Sequence, residues 1–471
     1  MPSEDVSRIE RVVADLRPQS PCRPGQKSFR SLGERMAELG TPGASVAVID
    51  NFEVAWARGF GVRKQGEPAP VLADTPFQVG SISKPVFALA AMRLAQDSRI
   101  DLDADIRDYL KSWQLPDGDD GWAPRVTLRQ LLSHTAGTTV HGFPGYAAGG
   151  PIPSLTQVLN GAPPANTQPV FVDLIPGFQF RYSGGGTTIA QLAVTEIIGR
   201  PFPELMRELV LAPLAMDDSS YEQPPSSRLA DRAALAHPFG AVPVAGGWNI
   251  YPEMAAAGLW TTARDIARIG VAVVRGLCGE GSGLGLLQES FSEMVRPQLP
   301  NHVAGTDFVG LGWFCFADGD AFRFGHAGWN HGFLADARFY PATGQGGVVI
   351  INSNQGWPLI EELFKSLERE YRWPVPTAPA PSEAPAATGI EGTYRDNAGR
   401  AFHLRQADGK LLLQIGDQDP IGLSPGPNGV LSAQVPQISA RLAPAVDGTM
   451  AIHLTQGGKT FEAARISDRL D

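Results

Sequence analysis

The sequence predicts an α+β fold followed by a small antiparallel β-barrel, and three observations carry that prediction. Apolar runs of strand character stand near the start, at 44–49 and 54–60, and again late, at 320–326, 331–339 and 346–352, with helix signals dominating between them. Strands at both ends of a segment with helices between imply an antiparallel sheet whose first and last strands pair, with a helical lobe packed on it. Third, the texture changes after the Pro/Ala-rich stretch 374–388 (PVPTAPAPSEAPAAT), which reads as a linker. Beyond it, short β-like runs alternate with turn dipeptides such as Asp408-Gly409, Asn428-Gly429 and Asp447-Gly448. The expected organisation is therefore a first domain over 1–373, the linker over 374–388, and a barrel of about eight strands over 389–471.

The elements follow in order. Residues 1–40 have helical, amphipathic character around a proline-rich break between Pro18 and Pro24. The runs 44–49 and 54–60 flank an Asp50-Asn51 turn and form a hairpin. Residues 76–80 read as strand or turn. The run that follows, with Val86, Phe87, Leu89, Ala90, Met92 and Leu94 giving a broad apolar surface, reads as a helix buried on most sides, and Pro85 suits its first turn. Thr127 with Gln130 and Thr262 with Asp265 are helix-start pairs ahead of apolar runs. A helix over 188–198 ends at Gly199, and another over 358–373 carries Leu359, Ile360, Leu363, Phe364, Leu367 and Tyr371. In the last domain Phe402/Leu404 and Ile452/Leu454 alternate with period two.

Chemistry concentrates at Ser81-Ile82-Ser83-Lys84, the one Ser-x-x-Lys among seven lysines. On a helix, residues three apart share a face, so the Ser81 hydroxyl and the Lys84 ammonium lie side by side. Serine is a weak nucleophile at neutral pH and needs a neighbour to take its proton. Lysine does so when burial or nearby positive charge lowers its pKa. The plain alternative is an ordinary helix cap with a solvated lysine. Two further motifs favour catalysis. Residues 178–186 read FQFRYSGGG, with Tyr182 just before three glycines, and 324–333 read FGHAGWNHGF, with His326-Ala327-Gly328 inside.

In order and spacing these motifs resemble the penicillin-recognising serine hydrolases, the family of class C β-lactamases, D,D-peptidases, D-aminopeptidases and family VIII carboxylesterases. The resemblance spans about Gly43 to Asn354, and 127–137 (TLRQLLSHTAG) and 255–265 (AAAGLWTTARD) are similar to family segments. It implies a β-lactamase/transpeptidase-like sheet with a helical lobe and the site between them. By the same resemblance Ser81 is the nucleophile, Lys84 its proton partner, and Tyr182 the second base and proton donor to the leaving group. The oxyanion hole falls to the backbone N–H groups of Ser81 and of Trp329, which follows Gly328. Two positions depart from the family pattern. Gly184 stands where a substrate-contacting asparagine is usual, and His326 stands for the third-motif lysine. A mostly neutral histidine holds a substrate carboxylate less strongly than a lysine. The implied substrates are therefore neutral esters or amides, including D-amino-acid or peptide derivatives, with weak β-lactam turnover. An acyltransferase using the same acyl-enzyme, or a non-catalytic acylated sensor, stays open. His326 is expected to contribute an ionisation near or above the ordinary histidine range. His331 reads as a surface or satisfied histidine and His134 as a structural one. The final domain looks like the lipocalin-like domain of some family members, serving packing or oligomerisation.

Composition narrows the partners. Net charge is −10 without a basic cluster, which argues against nucleic acid. Three scattered cysteines, Cys22, Cys278 and Cys315, give no disulfide framework, and no histidine pairing suggests a metal or other cofactor. The glycine-rich run 279–285 lacks the Lys-Ser/Thr ending of a phosphate loop, and no Gly-x-Ser-x-Gly elbow is present. The first ten residues are polar, and no apolar run reaches membrane-spanning length. The expectation is a cytoplasmic protein without a membrane partner, open to homo-oligomerisation. A chain whose export signal had been removed would read the same.

Overall fold

A computed structural model describes residues 4–17, 29–117, 121–240, 242–299, 308–317, 321–374, 391–396, 401–407, 410–415, 421–425, 430–433, 438–444, 450–456 and 459–467. The chain divides into two compact units, with described residues up to 374 in the first and those from 391 in the second. Most of the linker, the proline-rich break and Cys22 lie outside the described residues.

A seven-stranded antiparallel sheet organises the first unit. Gly43–Asp50 and Glu53–Gly61 form the expected hairpin, and Gly43–Asp50 pairs on its other side with Gln345–Ile351, so early and late strands do close one sheet. The order continues through Phe333–Tyr340, Arg323–Asn330, Phe314–Phe316 and Phe308–Val309. Alternation divides the sheet between two cores. Val46, Val48, Val349 and Ile351 face the helices Glu4–Ala14 and Trp357–Tyr371. Ala47, Ile49, Val348, Ile350, Phe333 and Phe339 face the helical lobe. His326, Gly328 and Asn330 pair with Ala337, Ala335 and Phe333, which places them on that lobe-facing side.

Helix Ser83–Gln96 runs through this lobe with eleven of its fourteen residues buried, which explains its lack of an amphipathic pattern. Thr127 and Gln130 make the reciprocal cap predicted for them, and Thr262 caps Ala263–Leu277 through the Asp265 N–H. The helix expected over 188–198 starts earlier, at Gly184, and ends at left-handed Gly199. Its glycine triplet is therefore a helical first turn rather than a loop. A Cβ on Gly185 would stand 2.8 Å from the Thr139 carbonyl, and one on Gly186 would stand 2.6 Å from Thr138 Oγ1. Close packing, not turn geometry, demands these glycines.

In the second unit eight strands from Gly392–Asp396 to Lys459–Ser467 pair antiparallel in sequence order, and the first also pairs with the last. Tyr394, Phe402, Leu404, Leu413, Ile452 and Leu454 are buried together. Among the described residues no helix is long and apolar enough to cross a membrane.

Candidate active site

Ser81 sits in a single tight turn, Gly80–Ile82, immediately before helix Ser83–Gln96. Two glycines let this turn meet the sheet. Gly80 has φ +50°, and a Cβ there would come within 2.6–2.7 Å of the Trp329 backbone. A Cβ on Gly328 would lie 1.8 Å from the Val79 carbonyl and 3.3 Å from the Ser81 nitrogen. The serine and the strand Arg323–Asn330 are thus in backbone contact. Ser83 is no cap: its hydroxyl donates to the Gly80 carbonyl at 2.6 Å and accepts the Leu259 N–H at 3.0 Å, pinning the turn to the chain behind it.

Lys84 is buried, and its Nζ donates to Ser81 Oγ at 3.0 Å and to the Ala256 carbonyl at 2.8 Å. Neither partner carries charge. Burial therefore acts unopposed and lowers its pKa to about 7. Poor solvation, one of the two causes that make a lysine a base, is the one found.

Tyr182 precedes Ser183, which caps helix Gly184–Ile198. Its ring lies 4.9 Å from Lys84 Nζ. Burial raises the phenol pKa, and a hydrogen bond with Ser81 opposes that. His326 stands on the lobe face of its strand with its ring 6.1 Å from that of Tyr182. The His326 Nδ1 lies 2.6 Å from the Ala327 carbonyl, so Nδ1 carries the proton and Nε2 is an acceptor; Nε2 is buried and has no partner among the described residues. Burial and the Lys84 charge push the His326 pKa down to about 3. The expected histidine ionisation is therefore absent from the neutral range.

Ser81, Lys84, Tyr182, His326 and Gly328 thus meet in one place, and Trp329 brings its backbone to the turn of Ser81 while alternation carries its exposed indole to the other face of the sheet. Gly184 is nearby in sequence only as a helix start. Its N–H donates to the His141 carbonyl at 2.9 Å and its carbonyl accepts from Thr188, so no polar group of it is left for a substrate. His331 does not share the strand of His326. It lies in the following turn, with its N–H on the Tyr251 hydroxyl at 3.0 Å.

Sequence reading missed the surroundings of Tyr182. His134 accepts the Ser183 N–H at 3.2 Å through Nδ1, as a structural histidine does, but its ring also packs 4.2 Å from that of Tyr182. His141 and Phe314 pack at 5.0 and 6.0 Å. Burial and the Lys84 charge lower the pKa of both histidines. Nothing in periodicity pointed to Phe314, which enters from the neighbouring strand. Asn330 was also missed. Its Nδ2 donates to Gln78 Oε1 and to the Ala257 carbonyl, both at 3.0 Å.

Comparison with known proteins agrees with this architecture. Residues 30–364 match the family model described as Beta-lactamase. The chain is 26% identical over 375 residues to penicillin-binding protein 4 of Amycolatopsis lactamdurans, covering 76% of this chain and 94% of that protein. It is 35% identical over 95 residues to esterase EstB of Burkholderia gladioli, covering 20% of this chain and 24% of that protein. Among solved structures, the octameric penicillin-binding protein homologue from Pyrococcus abyssi superposes with a TM-score of 0.61 at 20% identity, covering 92% of this chain and 98% of that one. A family match over residues 30–364, on a sheet-and-lobe fold of this kind, means that the chain belongs to the beta-lactamase family.

Proposed function

We propose that this chain is a cofactor-free serine hydrolase that cleaves neutral esters or amides through an acyl-enzyme on Ser81. The observation that carries the reading is the Lys84 ammonium 3.0 Å from Ser81 Oγ, buried, with no acidic partner among the described residues and a pKa of about 7. Neutral Lys84 takes the Ser81 proton as Oγ attacks the carbonyl carbon. Tyr182, kept protonated by burial, passes a proton to the departing oxygen or nitrogen. The developing oxyanion is met by the N–H groups of Ser81 and Trp329. The two-residue turn at 331–332 closes its hairpin at the Asn330/Phe333 pair, so alternation directs the Trp329 N–H away from the neighbouring strand. Water then resolves the acyl-enzyme. The absent amide at Gly184 and the neutral ring of His326 remove the two groups that would hold a carboxylate-bearing substrate, which favours esters and uncharged amides.

We read the eight-stranded second unit as a lipocalin-like packing or oligomerisation module. Self-association, named for the Pyrococcus abyssi homologue, fits that role. The nucleophile assignment is tested with a fluorophosphonate probe and turnover of p-nitrophenyl acetate. Ser81→Ala is expected to abolish labelling and lower kcat by on the order of 10⁴ with the fold intact. Labelling of the variant at the wild-type level would overturn it.

A further inference from the structure

We propose that the side of the cleft from which the leaving group departs is built to take an uncharged aromatic ring. The inference rests on the acyl-enzyme reading above and adds the class of leaving group. Tyr182 is the centre of a continuous set of rings. His134 packs on it at 4.2 Å, His141 at 5.0 Å and Phe314 at 6.0 Å, the last nearly parallel at 20°. Phe314 continues to His326 at 4.9 Å and to Phe180 at 6.2 Å. Tyr182, Phe180 and Phe314 are only half-buried, so the set presents ring surface outward, and Phe178, two residues before Phe180, is 70% exposed. Rings prefer offset-stacked or edge contacts at 4.5–7 Å, and the contacts of Phe314 with Tyr182, His326 and Phe180 lie within that range.

Position names the leaving side. The group that receives the Tyr182 proton must lie against Tyr182, and Phe314 and Phe180 are the rings reached next from there. Ser81 Oγ forms its bond to the acyl carbon, the carbon–oxygen bond to the aryl oxygen breaks, that oxygen leaves as a phenol carrying the Tyr182 proton, and the proton Lys84 took from Ser81 passes to Tyr182. Charge on the ring is disfavoured by the hydrogen-bonding character of the wall. The Nδ1 proton of His326 is committed to the Ala327 carbonyl, and its buried, unpartnered Nε2 offers a lone pair. His326 therefore gives a carboxylate on the ring neither a donor nor a cation, and among the described residues the ammonium at the site, Lys84, is turned to Ser81 and Ala256.

The test compares phenyl acetate, ethyl acetate and 4-acetoxybenzoate, which all deliver the same acetyl group, so that kcat/KM reports differences in the leaving group. Acetylation of Ser81, read by mass spectrometry, checks the underlying acyl-enzyme separately. In Phe314→Leu, kcat/KM for phenyl acetate is expected to fall about three- to tenfold relative to that for ethyl acetate, the worth of one ring pair. Phe314→Tyr should restore the ratio, and it also serves if the leucine variant folds poorly. The wild type should use 4-acetoxybenzoate at least about tenfold less well than phenyl acetate, and His326→Lys should narrow that gap. Equal losses on phenyl and ethyl acetate in Phe314→Leu would make Phe314 a brace for Tyr182 and overturn the proposal. So would equal wild-type use of phenyl acetate and 4-acetoxybenzoate. Absence of acetyl-Ser81 with every ester would instead remove the acyl-enzyme reading, and this proposal with it.

Discussion

Replacing Lys84 by methionine removes a buried ammonium while keeping an unbranched chain of similar reach, and it separates what the lysine costs from what it does. Burial holds the Lys84 pKa at about 7 against an ordinary 10.5. At pH 7 about half of the side chains are then neutral, against roughly 3 in 10⁴ for a solvated lysine, about a thousandfold gain in usable base. The same burial opposes folding. The folded pKa lies below the unfolded one, so the unfolded chain holds the extra proton between about pH 7 and 10.5, and stability rises with pH across that window. Below the window the penalty is complete, about 5 kcal/mol, and at pH 7 it is about 4 kcal/mol. Methionine leaves the Ala256 carbonyl bare, which gives back about 1–2 kcal/mol. Lys84→Met is therefore expected to be about 2–3 kcal/mol more stable at pH 7, and to lose at least about 10³ in kcat/KM. All nine tryptophans precede residue 374, so guanidinium unfolding followed by tryptophan fluorescence reports the first unit alone. The stability gap should shrink between pH 7 and 10. A variant less stable than the wild type at pH 7, with a gap that ignores pH, would refute the reasoning.

Wild-type kcat/KM for a neutral ester should rise with pH through a single limb near 7, the Lys84 ammonium losing its proton; a flat profile between pH 6 and 9 would contradict this. Because His326 is held neutral down to about pH 3, that limb should survive in His326→Ala, measured on whatever activity remains. His326→Ala should lose far more activity than His331→Ala, and equal losses would misplace the third motif. Short-chain p-nitrophenyl esters should outperform nitrocefin in kcat/KM, and the reverse order would defeat the argument from His326 and Gly184.

Local signals carried much of this fold. The hairpin, the Thr127 and Thr262 caps and the late strands each announce themselves within a dozen residues, through alternation, a capping side chain or a turn. The pairing of Gly43–Asp50 with Gln345–Ile351 is a contact across some three hundred residues, but element order alone implies it. The start of helix Gly184–Ile198 was illegible because a glycine triplet is locally a loop signal. The reason for it, the carbonyl of Thr139 and the hydroxyl of Thr138, lies on another segment. The same limit applies at the site. Ser81 and Lys84 are three residues apart and could be read. The rings about Tyr182 come from four separate stretches of chain, and no period in the sequence connects them. The electrostatic state of His326 was misjudged for a related reason, since burial depends on what packs over the strand rather than on the strand itself.

The two segments that resembled the family without carrying a reactive group acquire a physical role here. Residues 127–137 brace the tyrosine: the His134 carbonyl accepts the Arg181 N–H and its ring accepts the Ser183 N–H, so Tyr182 is held on both sides. Residues 255–265 brace the serine and lysine: the Ala256 carbonyl accepts from Lys84, the Leu259 N–H donates to Ser83 Oγ, the Leu259 carbonyl accepts the Val79 N–H, and Trp260–Thr261 pairs with Phe77–Gln78. Asn330 then joins this second brace to the strand, since one amide donates both to Gln78 and to Ala257. The proposed oxyanion donors belong to different elements, one on the turn of Ser81 and one on the strand at Trp329. Their separation is fixed by the glycine contacts at Gly80 and Gly328 from one side and by Asn330 from the other. A displacement of about 1 Å at such a site is enough to cost on the order of 10² in rate. Buried amides and glycines without chemistry of their own therefore hold the geometry on which Ser81 depends.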